Sequence, residues 1–113
     1  MVLEIYKLTN NFPTEEKYSL SQQMRRSAYS ITMNLIEGSS RTSELEFKHY
    51  INIARGSCAE IAYQLELARD LKYIGGEFVT LHSKYTSIGK MLTNLMKKVS
   101  ANSYYAIKLF QYP

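Results

Sequence analysis

"SAYSITMNLIEGSSR", residues 27–41, is the stretch that decides how this chain folds. At about 100° per residue, Met24, Ala28, Ile31 and Leu35 fall along one side of a helix. Tyr29, Met33 and Ile36 make a second apolar face. Ser30, Asn34, Glu37 and Arg41 recur three or four residues apart and form a polar stripe on a third side, with Arg26 at its other end. A helix with two apolar faces has two things to pack against. One is its own bundle. The other is a second subunit, so Tyr29, Met33 and Ile36 are oligomer-interface candidates.

Working outward, the apolar period is helical almost everywhere. Leu3, Ile5, Tyr6 and Leu8 predict a short first helix over about residues 2–10. Thr14, Glu15 and Glu16 predict a single turn, because acidic groups suit a helix N-terminus. The second helix spans about Leu20 to Ser39. Ser43-x-x-Glu46 is a capping box that opens a third helix reaching about Leu71. The glycines of "KYIGGE" are expected to stop it. The fourth helix, from about Glu77 to Ala101, carries a seam of Phe78, Leu81, Tyr85, Ile88, Leu92, Leu95 and Val99 in heptad spacing. Short connections make neighbouring helices antiparallel. The predicted fold is all-α, an up-and-down four-helix bundle with a shortened first helix, in a single domain over residues 1–113.

That first helix spans less than half the length of its neighbours. The tail "SYYAIKLFQYP", with Tyr104, Tyr105, Ile107, Leu109, Phe110 and Tyr112, is one candidate cover for the exposed core. A partner subunit is the other.

The third helix has a main seam of Phe47, Ile51, Ala54, Cys58, Ile61 and Leu65. Beside it runs a polar line of Ser57, Glu60 and Gln64, at the same angular range as Ile53, Leu67 and Leu71. Polar groups inside an apolar arc are partly buried, and buried polar groups need partners. The expected network therefore joins Arg26, Ser30, Asn34, Glu37 and Arg41 on the second helix to Ser57, Glu60 and Gln64 on the third. Ala54, Gly56, Ser57, Ala59 and Ala62 would let the two helices approach closely.

The net charge of +4 is unevenly spread. Up to residue 76 basic and acidic groups balance; beyond it stand five lysines against Glu77 alone. That implies one basic surface, of a kind that attracts polyanions. Lys84, Lys90, Lys97 and Lys98 fall away from the fourth helix's seam, and with Arg25 and Arg26 they are the candidates for nucleic-acid contact. The single cysteine, Cys58, excludes a disulfide framework and reads as a small core residue. No apolar run reaches the ~18 residues of a membrane span. Glu4 and Lys7 interrupt any signal-peptide core, so a cytoplasmic protein without a membrane role is expected.

No phosphate loop or nucleophile elbow occurs. Glu46-x-x-His49 has the spacing of a bundle di-iron ligand pair, but the second motif is missing, because Val79 stands three residues before His82. No metal, cofactor or catalytic residue is expected, and the rival carboxylate chemistry would fall to Glu37, Glu46 and Glu60.

The residues from "FPTEEKYSLSQQMRRSAYSITMNLIEGSSR" through "EFKHYINIARGSCAEIAYQLELARDLKYI" resemble the four-helix-bundle proteins named for open reading frames in intervening sequences of bacterial 23S rRNA genes. The matching positions are Phe12, Pro13, Glu15 and Glu16, then Arg25, Arg26, Ser30, Ile31, Asn34, Glu37 and Gly38. They continue with Glu46, Phe47, Gly56, Ser57, Glu60, Gln64 and Leu65, so the likeness covers residues 2 to about 75. Leu35 stands where isoleucine is usual in that family. The family's first helix begins earlier, so this chain reads as shortened at its front.

The resemblance implies a left-handed up-and-down bundle and assembly as a ring-shaped homopentamer. One branch of the family serves as accessory proteins of diversity-generating retroelements, binding a reverse transcriptase and nucleic acid through a basic surface. The expected function is a non-enzymatic, oligomeric interaction module for RNA, DNA or a nucleic-acid enzyme such as a reverse transcriptase. The alternatives are a purely structural or protein-partner bundle, or a carboxylate-based metalloenzyme.

Overall fold

The computed structural model describes residues 2–99. Four helices make up the bundle: α1 (Val2–Thr9), α2 (Leu20–Ser39), α3 (Glu44–Asp70) and α4 (Glu77–Lys98). A 3-10 turn over Thr14–Glu16 stands between α1 and α2. The predicted tail cover from Ser103 to Pro113 lies outside the described residues. Among those residues no helix is long and apolar enough to cross a membrane.

The seams close on one another as the heptad spacing predicts. Met24, Ala28 and Ile31 from α2 meet Phe47, Ile51, Ala54, Cys58, Ile61 and Leu65 from α3 and Leu81, Tyr85 and Leu92 from α4 in one buried cluster. The eight residues of α1 span about 12 Å against about 40 Å for α3. They contribute Ile5 and Leu8 to the core, while Leu3 faces outward.

Three local details set the helix ends and spacing. Ser43 Oγ accepts from the Glu46 amide at 3.1 Å, the cap expected at the start of α3. The stop of α3 differs from expectation. Lys72, not a glycine, takes the left-handed conformation (φ 65°), and neither Gly75 nor Gly76 has positive φ. Tyr73 N–H bonds to Ala68 C=O and Lys72 N–H to Arg69 C=O, each at 2.9 Å, which together make a Schellman closure. The fourth helix ends earlier than predicted, at Lys98, with Val99 already extended.

Of the small residues expected to let α2 and α3 approach, Ala54, Ser57 and Ala62 are buried, and Ser57 meets Ser30 of α2. Gly56 and Ala59 are exposed, and a Cβ on Gly56 would meet nothing within 4 Å. A Cβ on Gly38 would lie 2.9 Å from Tyr50 Cβ. Gly38 is where the backbone of α2 presses against α3.

Candidate nucleic-acid interface and the groove between α2 and α3

Ser57 Oγ donates to Ser30 Oγ at 2.9 Å, and Ser27 Oγ donates to Glu60 Oε2 at 3.3 Å. These two bonds fix the register: three residues forward on α2 is three residues back on α3. Asn34 then stands level with Ile53, and Gln64 with Gln23. Asn34 and Gln64, both members of the expected network, therefore stand at different levels of the interface. Asn34 donates to Ser30 within its own helix, to the carbonyl at 2.8 Å and the hydroxyl at 2.9 Å.

The predicted eight-residue network is thus divided. Ser57, Ser30 and Asn34 form one chain, with Ser57 buried. Ser27, outside the predicted network, links Glu60 to α2; it sits three residues before Ser30 on the same stripe. Glu37 and Arg41 form a separate ion pair at the C-terminal end of α2, where Arg41 also donates to Tyr50 Oη at 3.0 Å and covers its ring. Arg26 is exposed and, among the described residues, has no hydrogen-bond or ion-pair partner, so it does not join the network. Gln64 is buried, and its Oε1 has no hydrogen-bond partner.

Between α2 and α3 lies a groove of about 440 Å³, lined by Gln23, Arg26, Ser27, Tyr29, Ser30, Ile53, Ser57, Glu60 and Gln64. The second apolar face of α2 borders it. Tyr29, Met33 and Ile36 are 42%, 58% and 59% exposed.

The basic candidates separate into engaged and open groups. Arg25 clamps α1 to α2: its guanidinium donates to Thr9 Oγ1 and Asn10 Oδ1, each at 2.8 Å, and lies over the Tyr6 ring. Lys84 bonds to Glu4 at 2.7 Å and holds that carboxyl below the usual carboxylate range. Both are therefore occupied with α1. Lys90, Lys97 and Lys98 are exposed and, among the described residues, carry no ion pair. Lys90 and Lys97, seven residues apart, share one line of α4.

A second groove, of about 480 Å³, runs between α3 and α4. Cys58, Ala59, Ala62 and Gly89 line it, together with Arg55 and Lys90. Arg55 was not singled out by sequence. It becomes visible only once antiparallel packing sets it across from Thr93, to which it donates at 3.4 Å.

The carboxylates of the rival metal chemistry do not converge. Glu37 is paired with Arg41, Glu60 faces Ser27, and Glu46 belongs to the first turn of α3. Among the described residues no group of three His, Cys, Asp or Glu side chains is placed to hold a metal ion. His49 packs edge-on against Tyr50, and His82 pairs with Glu66 at 3.3 Å.

A family model described as "23S rRNA-intervening sequence protein" matches residues 1–94. The chain belongs to this family. A solved structure from Bacteroides thetaiotaomicron VPI-5482, described as a protein of unknown function from the S23 ribosomal protein family, is 30% identical. The likeness covers 86% of this chain and 89% of that one, with a TM-score of 0.76. None of the curated proteins matches this chain. The family match spans all four helices up to Asn94, including the α2 stripe, Gly38 and the polar line of α3.

Proposed function

We propose that this four-helix bundle is a non-enzymatic, oligomeric module of the cytoplasm that binds nucleic acid, or a nucleic-acid enzyme such as a reverse transcriptase, through its basic surface. The observation that carries the reading is the open cationic group on α4: Lys90, Lys97 and Lys98 are exposed and unpaired among the described residues, and Arg55 lines the groove beside Lys90. Met33 and Ile36, beside Tyr29, form an apolar flank suited to a sister chain, and assembly into a ring such as a pentamer would repeat each cationic patch around the particle. A purely structural bundle is the second reading, favoured by the engagement of Arg25 and Lys84 in holding α1.

The test is binding to single- and double-stranded RNA and DNA across a salt series. Phosphate contacts give a linear fall of log K with log salt, about 0.9 per contact for duplex DNA and about 0.7 for single strands. Replacing Lys90, Lys97 and Lys98 by Gln is expected to flatten that slope. No binding at low salt would leave only protein partners. Light scattering measures the assembly, and Met33→Glu with Ile36→Glu is expected to lower the particle mass.

A further inference from the structure

The groove between α2 and α3 holds groups that the lysine surface does not use. Glu60 and Gln64 stand four residues apart on α3 and so present a carboxylate and an amide side by side. Gln64 is 9% exposed and its Oε1 is without a partner, so the amide gains by swinging toward the groove if a donor waits there. Ser30 Oγ already accepts from Asn34 and Ser57, which leaves its own hydroxyl proton for a further acceptor. Arg26 supplies an open positive charge at the rim, and the half-exposed Tyr29 ring gives a plate on which a flat ring can stack. The volume of about 440 Å³ lies within the ~300–1,000 Å³ of small-molecule sites.

We propose that this groove binds a guanine nucleotide, free or as an unpaired base of a nucleic acid. In the bound state the base stacks on Tyr29, Glu60 and Gln64 take its N–H edge, and Arg26 pairs with the phosphate. This rests on the nucleic-acid reading and adds a base-selective site to it. The choice of guanine follows from hydrogen-bond chemistry. An ionised carboxylate only accepts. Guanine alone places two donors, N1–H and the N2 amino group, side by side on one edge. Adenine and cytosine set a ring-nitrogen acceptor beside their amino group, and that lone pair would face the Glu60 carboxylate. Uracil offers one N–H between two carbonyls. Unpaired bases are recognised in this way, by stacking on aromatic side chains and bonding along the Watson–Crick edge. Met33 and Ile36 do not line the groove, so the site is separate from the bulk of the apolar flank.

The experiment titrates the full chain with the 5′-monophosphates of guanosine, inosine, adenosine, cytidine and uridine by calorimetry. The guanosine compound is expected to bind at least about tenfold tighter than the adenosine, cytidine and uridine compounds. The inosine compound, which lacks the N2 amino group, should fall between. Glu60→Gln keeps an acceptor for Ser27, so the fold survives, and it should bring the guanosine and adenosine compounds to equal affinity. Arg26→Gln should weaken all five alike. Equal affinities in the wild-type chain, no heat with the guanosine compound, or an unchanged preference in Glu60→Gln each overturn the proposal. If long RNA still binds with a steep salt slope in any of those cases, only the guanine site is lost; if RNA binding is absent too, the broader reading falls with it.

Discussion

Ser57 Oγ and Ser30 Oγ meet at 2.9 Å across the interface of α2 and α3, half-shielded from solvent at one end and buried at the other. A hydrogen bond between neutral groups contributes about 0.5–1.5 kcal/mol net, and more is lost when one partner is left buried and unpaired. Ser57→Ala is therefore expected to lower stability by about 1 kcal/mol in chemical denaturation. A double-mutant cycle with Ser30→Ala should return a positive coupling energy. Strictly additive losses would show that the two hydroxyls do not act on each other.

Gly38 and Gly56 are both helical, yet they should respond to alanine with opposite signs. Gly56 has open space around its missing Cβ, so Gly56→Ala should gain about 1 kcal/mol from helix propensity alone. At Gly38 the new methyl would sit 2.9 Å from Tyr50 Cβ. The helices must then part, and overpacking of this kind costs about 1–3 kcal/mol, which exceeds the propensity gain. Equal effects at both positions would contradict the close approach at Gly38.

Lys72 holds a left-handed backbone conformation (φ 65°) that costs an L-residue about 1 kcal/mol. The Schellman bonds from Lys72 and Tyr73 hold it there, and the Tyr73 ring packs on Phe12 at 5.3 Å between centroids. Lys72→Gly removes the steric cost and is expected to raise stability, by up to about 1 kcal/mol. Thermal melting checks the direction, and a clear loss of stability would mean the Lys72 side chain makes contacts that outweigh the strain.

What the sequence made legible, and what it hid, divides along the range of the interaction. The seam of α4 was readable because its period is local and each buried residue, from Leu81 to Leu92, follows from the last. The cap at Ser43 is also local. The stop of α3 was misread because glycine is the usual left-handed residue, whereas here Lys72 takes that conformation, closed by the bonds from Lys72 and Tyr73. The partition of the polar network was not readable either. It depends on the register between α2 and α3, which the Ser57–Ser30 and Ser27–Glu60 bonds mark and no local period in the sequence encodes. Arg25 and Lys84 looked like free cations, because their partners Thr9, Asn10 and Glu4 lie far away in the chain.

Glu16 links the 3-10 turn to the end of α3. Its carboxylate accepts from Ser19 Oγ and from Tyr73 Oη, the latter at 2.9 Å, and these bonds, that from Ser19 foremost, hold its pKa below the ordinary glutamate value. A carboxyl depressed in the folded state stabilises the fold above its unfolded pKa, and that contribution fades as the pH falls through the folded one. Stability should therefore drop on the acid side of the ordinary glutamate range, and Glu16→Gln should make that drop shallower. Denaturation profiles from neutral to acid pH provide the measurement, and identical slopes in the two proteins would remove Glu16 from the account.

Cys58 lies on the core side of α3, 2% exposed, and desolvation pushes its thiol pKa up to about 11. At pH 8 only about a thousandth of it is thiolate, the form that reacts. A thiol reagent should therefore modify the folded protein very slowly, and the rate should rise with denaturant in step with the unfolding of the bundle. Local breathing of α4 would give a different result, namely early modification at denaturant concentrations that leave the helical signal unchanged. That outcome would place the weak point at Gly89, whose missing Cβ would lie 3.6 Å from that of Cys58. Modification that tracks global unfolding would establish α3 and α4 as one cooperative unit.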